Sequence, residues 1–189
     1  MAPHDAAAMS AIFKAYDIRG TVPDQLDADL MERIGAAFAR FAADESGARS
    51  ILVAHDMRPS GPSFADAFAR GAVSQGIDVV QLGLASTDLL FFASGHFDMP
   101  GAMLTASHNP AQYNGVKLCL AGARPIGAET GLTAIRDMTV TGLTPVEVAG
   151  SISSRDDALA AFVDHVRSFI DPTVLRPLRV VADTANGMG

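Results

Sequence analysis

The feature that most constrains this chain is the alternation of short apolar, β-type runs with amphipathic helical stripes. Ile51-Leu52-Val53-Ala54, Ile77 to Leu82, Ala102-Met103-Leu104-Thr105 and Val116 to Leu120 have the length and apolar character of strands. Between them, Leu30, Ile34, Ala37, Phe38 and Phe41 recur at the spacing of one helix face, with Asp27 placed to cap it. After the turn-rich HDMRPSGP, Phe64, Phe68 and Ala72 form a second stripe. Ser86 or Thr87 then caps a helix through Leu89, Leu90 and Phe92. Interleaved strands and helices of this kind predict an α/β fold, a mixed and mostly parallel sheet sandwiched by helices.

The rest of the chain is expected to leave that first unit. Residues 121 to 154 are rich in Gly, Thr and Pro, with a short helix around Leu132 to Met138, as at a domain edge and connector. A helix over Asp156 to Ile170 follows, apolar along Leu159, Phe162, Val163, Val166, Phe169 and Ile170 and stopped by Pro172. Leu178 to Ala182 is expected to be a strand. We therefore expect one domain over residues 1–150 and the opening of a second, incomplete α/β domain over 151–189. With 49% hydrophobic residues in 189, one complete core plus an appendage is affordable.

Charge and cysteine usage narrow the partners. A formal net charge of -7, with 14 Lys+Arg among 21 Asp+Glu, argues against nucleic acid or an anionic membrane surface. An anionic small substrate remains possible where a few cations gather in a cleft. The start MAPHDAAAMSAIF has no cationic segment followed by an apolar run, and no stretch approaches the roughly 20 apolar residues needed to span a bilayer, so the cytoplasm is expected. The single Cys119 supports no disulfide framework and suits a small buried hydrophobe. His55, His96 and His165 lack mutual metal-ligand spacing and are expected to be structural or surface residues.

Chemistry points to Thr105-Ala106-Ser107-His108-Asn109-Pro110 and the following Tyr113-Asn114-Gly115-Val116-Lys117, a polar loop between two apolar strands. On an extended chain, Ser107 and His108 project to opposite sides and do not form a serine-base pair. No G-x-S-x-G elbow occurs, which weakens a hydrolase reading. By residue type alone, Ser107 is a loop serine capping a turn, Lys117 a solvent-facing strand residue, and Asp17 and Arg19 a pair that pins a turn.

Taken together, the segments resemble the α-D-phosphohexomutases, the phosphomannomutase/phosphoglucomutase family. TASHNP followed by NGVK is similar to that family's phosphoserine loop, AYDIRG (15–20) to its amino-terminal motif, and AHDMRPSG (54–61) to its GxDxRxSG-like loop. The terminal ADTANGMG resembles the entry into its second domain. The resemblance implies an isomerase in which phosphorylated Ser107 exchanges its phosphoryl group between C6 and C1 of a mannose or glucose phosphate, with Mg2+ and a hexose 1,6-bisphosphate primer. It further implies that Lys117 and Arg19 supply charge and proton handling, that His108 and Asn109 orient the loop, that Tyr16 shapes the site, and that Asp56 and Arg58 form an ion pair behind the loop. The phosphate on Ser107 would ligate the metal, but the family's DGDGDR-type metal loop and GEYSGH-type sugar-selecting loop are not in these 189 residues. Asp27 and Asp29, two apart at a helix start, fit a cap and a dipole partner better. The expectation is a piece of such a mutase, inactive alone, with a non-catalytic sugar-phosphate-binding module or a structural fragment as the alternatives and the oligomeric state open.

Overall fold

A computed structural model describes residues 6–184 together with 187 and 188. The first five residues of the start discussed above, and Ala185, Asn186 and Gly189 of the terminal ADTANGMG, lie outside the described residues. The chain runs α1 (Ala6–Ile12), β1 (Ile18–Thr21), α2 (Ala28–Ser46), β2 (Ser50–His55), α3 (Gly61–Val73), β3 (Asp78–Leu84), α4 (Thr87–Phe97), β4 (Gly101–Leu104), β5 (Tyr113–Leu120), β6 (Arg124–Pro125), α5 (Leu132–Thr141), β7 (Ile152–Ser154) and α6 (Ala158–Arg167). The strands form one sheet in the order β1-β5-β4-β2-β3-β7, with β6 beside β5. β4, β2, β3 and β7 are parallel, whereas β5 is antiparallel to β4, β1 and β6.

Helices cover both faces. Asp27 caps α2, its carboxylate accepting the Leu30 N–H at 2.8 Å, and Gly47 closes the helix at φ 68°, in the left-handed region where glycine carries no Cβ penalty. Ser86 does the same for α4, accepting from the Leu89 N–H at 3.1 Å. The larger core joins α1, α2, α3 and α5 to one sheet face through Ile34, Phe38, Phe68, Ile51 and Val116, all fully buried. The smaller core places Leu89, Leu90 and Ala93 of α4 against Leu52, Ala54 and Met103. Burying one such Leu or Phe contributes about 1.5–3 kcal/mol. Cys119 is buried against the Gly101 carbonyl, and burial pushes its thiol pKa up, consistent with an inert side chain.

The segment after residue 120 differs from expectation in several ways. The connector contains the expected short helix as α5 and two strands that were not expected, β6 and β7, of which β7 extends the first sheet, pairing in parallel with β3 on the far side of residue 150. Ser151 donates its N–H and its hydroxyl to one Asp78 oxygen at 2.7 Å each, which holds that carboxyl below the ordinary carboxylate range. The final helix is shorter than the expected Asp156–Ile170 span, and only part of its stripe is covered: Phe162 packs on Phe92 at 5.4 Å, while Leu159, Val163, Val166, Phe169 and Ile170 are exposed. Leu178 to Ala182 is not a strand. No described strand lies beside it, and an unpaired β ladder gains nothing from the extended conformation. Among the described residues no helix is long and apolar enough to cross a membrane.

Candidate functional site

The sheet brings the polar loop and its supports to the carboxyl ends of β2 and β4. At Ser107 the chain turns through φ 54°, a left-handed conformation that is rare for a residue with a side chain. Its hydroxyl is exposed, and its N–H donates to Thr105 Oγ1 at 2.9 Å. Thr105 Oγ1 in turn donates to Asp56 Oδ2 at 2.6 Å. Asn109 closes the turn, with both its N–H and its Nδ2 donating to the Ala106 carbonyl at 3.0 and 2.8 Å.

Arg58 carries this loop. Its Nε donates to Asp56 Oδ2 at 3.2 Å, Nη1 to the Pro110 and Tyr113 carbonyls at 2.8 Å each, and Nη2 to those of Ser107 and Asn109 at 2.8 and 2.7 Å. All five guanidinium donors are used, on a side chain 5% exposed, so no donor is left to point at a ligand. The Arg58 N–H also donates to Asp56 Oδ1 at 3.1 Å. His55 Nδ1 lies 2.8 Å from the Asp56 carbonyl oxygen, a structural contact within the backbone turn.

The other motifs join through β5. Asn114, fully buried, donates from Nδ2 to Ser60 Oγ at 2.8 Å and links this strand to the start of α3. β1 pairs with β5 so that Arg19 faces Gly115, where a Cβ would stand 2.1 Å from the Ile18 carbonyl oxygen. Only glycine permits that approach. One step along, Lys117 Nζ lies 3.3 Å from Asp17 Oδ2, with the two side chains 29% and 15% exposed. Asp17 therefore pairs across the strands rather than with Arg19, and the Arg19 guanidinium has no hydrogen-bond or ion-pair partner among the described residues.

Ser107, His108, Asn109 and Arg58 line one cleft of about 640 Å³ together with Met57 and Pro110. Tyr16, 81% exposed, instead lines a separate cleft with Pro125 and Gly127, and Pro125 faces Cys119 at the end of β5 away from the loop. Ser107 Oγ and His108 Nδ1 are 3.5 Å apart, a long contact, but one on the same side of the chain. The expectation of opposite sides fails because it assumed an extended backbone, and Ser107 is left-handed. Sequence reasoning missed Thr105, Asn114 and Ser60 as supports and Asp17 as the partner of Lys117. The one sequence signal for the last pairing is Gly115, a glycine inside a strand, which marks close approach of another backbone. His96 and His165 flank the Phe92 ring at 5.1 and 5.0 Å, well away from this loop in the fold, and no group of three or more His, Cys, Asp or Glu among the described residues could hold a metal ion.

Comparison with known proteins places these motifs in a family. Residues 10–142 match the model of phosphoglucomutase/phosphomannomutase, alpha/beta/alpha domain I. A protein described as phosphohexose mutases from Xanthomonas campestris pv. campestris (strain B100) is 41% identical over 177 residues, covering 93% of this chain and 38% of its own length. The phosphomannomutase of Vibrio cholerae serotype O1 is 35% identical over 178 residues, with the same coverage of 93% and 38%. The crystal structure of a phosphoglucomutase/phosphomannomutase family protein from Burkholderia thailandensis superposes with a TM-score of 0.75 at 32% identity, over 84% of this chain and 35% of that one. The chain thus spans about 38% of the length of the curated relatives it matches. From its motifs, its fold and these relatives alike, this chain belongs to the phosphoglucomutase/phosphomannomutase family.

Proposed function

We propose that these residues form the phosphoryl-carrying part of a phosphohexomutase, an isomerase that interconverts the 1- and 6-phosphates of mannose or glucose by way of phosphorylated Ser107. The observation that carries the reading is an exposed serine hydroxyl on a left-handed turn that a buried arginine holds by the serine's own carbonyl and that of Asn109. A hydroxyl so placed can accept and release a phosphoryl group without the loop reordering, and phosphoryl transfer depends on such positioning and on nearby positive charge.

In the forward half-reaction, a hydroxyl of the hexose phosphate attacks the phosphorus on Ser107. The bond from phosphorus to Ser107 Oγ breaks as the new one forms; the sugar hydroxyl proton leaves to a base and Ser107 Oγ takes a proton. The resulting hexose 1,6-bisphosphate turns over and returns its other phosphoryl group to Ser107: the serine proton leaves, the bond from phosphorus to the sugar oxygen breaks, and that oxygen takes a proton to become the product hydroxyl. Arg19, whose guanidinium has no partner among the described residues, takes anionic phosphate oxygens. Lys117 serves the sugar hydroxyl and the charge that develops on it. His108, with Nδ1 3.5 Å from Ser107 Oγ, receives the serine proton on the return step. Asn109, Asp56 and Arg58 hold the loop.

Mg2+ is the metal the family implies, but the residues present do not by themselves fit it. Asp56 is taken up by Arg58 and Thr105 and Asp17 by Lys117, which leaves only a phosphate on Ser107 as a ligand near the loop. No step above is routed through the metal. The isolated 189 residues are expected to accept a phosphoryl group poorly and to turn over no substrate.

The test is peptide mass spectrometry of the full-length protein after exposure to hexose 1,6-bisphosphate. A single phosphoryl group on Ser107, absent in Ser107→Ala and passed on to added mannose or glucose phosphate, is expected. A bare Ser107 in protein that binds hexose phosphate tightly would replace this reading with that of a non-catalytic sugar-phosphate-binding module.

A further inference from the structure

Two cations, Arg19 of β1 and Lys117 of β5, stand on one face of the sheet where Gly115 accepts the Thr105 N–H, and among the described residues only Lys117 has an ion-pair partner. In the β1–β5 ladder Ile18 faces Val116 and Arg19 faces Gly115, and continuing that register one residue before β1 brings Asp17 to the level of Lys117. Residues directly opposite in an antiparallel pair share a face and approach to about 5 Å, whereas residues two apart on one strand share that face at nearly 7 Å. Asp17 is therefore closer to Lys117 than to Arg19, and its carboxylate meets Lys117 Nζ at 3.3 Å. The Asp17 carbonyl accepts the Lys14 N–H at 2.8 Å, which fixes the turn that delivers the carboxylate. Gly115, where a Cβ would stand 2.1 Å from the Ile18 carbonyl oxygen and 3.1 Å from Arg19 Cα, lets β1 lie close against β5 and puts no side chain between Lys117 and Arg19.

We infer that Asp17 is a positioning residue of this site: by ion-pairing with Lys117 it holds that ammonium on the sheet face and reserves the unpartnered Arg19 guanidinium for the anionic end of a hexose phosphate. The inference rests on the mutase reading for its catalytic consequence, but its structural half does not. Without Asp17 the Lys117 ammonium has no carboxylate to hold it, the two cations on this face repel, and a flexible lysine would compete with Arg19 for the phosphate. The two basic side chains do different work because one carboxylate is placed within reach of only one of them.

The chain has two lysines, Lys14 and Lys117, which makes the test direct. Trace acetylation followed by peptide mass spectrometry gives the labelling of Lys117 relative to the exposed Lys14 in the same molecule. Asp17→Asn is expected to raise that ratio about three-fold or more, and Asp17→Glu to return it toward the wild-type value. An unchanged ratio in a folded Asp17→Asn protein would overturn the inference. In the full-length enzyme Asp17→Asn should lower kcat about ten- to a hundred-fold with KM little altered, and Asp17→Glu should recover part of it. A raised KM with an unchanged kcat would also overturn it. If the wild-type protein turns over no hexose phosphate, the mutase reading fails, and the labelling ratio alone decides what Asp17 does to Lys117.

Discussion

Arg58 places the largest local demand on the fold of any single residue at the site. It is buried, ion-paired to an equally buried Asp56, and spans four carbonyls of a loop some fifty residues away. Truncation leaves the buried Asp56 carboxylate without its counter-ion, held by the Thr105 hydroxyl and the backbone N–H of residue 58, and removes the side-chain donor from the four carbonyls, the situation in which removing half of a buried pair is most costly. Arg58→Ala should therefore lose about 3–5 kcal/mol of unfolding free energy by urea denaturation. Arg58→Lys, which keeps the charge but not the planar fork, should fall between it and wild type. Much of this was legible in the sequence: Ser107, Lys117 and the Asp56–Arg58 pair stand in recognisable motifs, and the structure joins those motifs through side chains. The wiring was not legible. Asp17 and Lys117 are separated by a hundred positions, and only the strand register reveals that they meet. The handedness of Ser107 was hidden as well, since serine has no intrinsic preference for positive φ and the loop's hydrogen bonds impose it.

At the scale of elements, the α2–α3 crossing is set by two glycines that look like weaknesses in a helix. A Cβ on Gly35 would stand 2.1 Å from the Phe68 carbonyl oxygen, and one on Gly71 would stand 1.8 Å from that of Glu32. Their absence of side chains lets the two backbones touch and brings Phe38 and Phe68 to 5.9 Å between ring centroids. Gly71→Ala should push the helices apart and cost about 1–3 kcal/mol or more in thermal or urea unfolding, despite alanine's higher helix propensity. Gly95→Ala in α4, where nothing lies within 4 Å of the added Cβ, is the matched control and should gain about 0.5–1 kcal/mol. The long helices and central strands could be foreseen because their periodicity spans several turns or a whole apolar run. β6 and β7, two and three residues long, carry no periodicity of their own and exist only because β5 and β3 offer them an edge. The strand expected at Leu178 to Ala182 failed for the converse reason, apolar residues with no edge to join.

For the whole molecule, the balance between charge and uncovered apolar surface decides how the chain behaves in solution. Leu159, Val163, Val166, Phe169 and Ile170 expose one stripe along and just beyond α6, and Val174, Leu175, Leu178, Val180 and Val181 continue it into the following segment. So many exposed large apolar side chains favour association. The net charge of -7 opposes it by repulsion between copies, and that repulsion is screened by salt while the apolar attraction is not. The 189-residue chain should therefore bind a hydrophobic dye, and its apparent mass in sedimentation velocity should rise with concentration and rise further between roughly 0.05 and 0.5 M NaCl, where the Debye length shortens several-fold. Val163→Asp with Phe169→Asp, both on exposed positions, should abolish the salt-driven rise and leave the melting of the sheet unchanged within about 0.5 kcal/mol. If the mass were instead highest at low salt and fell as salt was added, association would be electrostatic, and the apolar stripe would not be its cause.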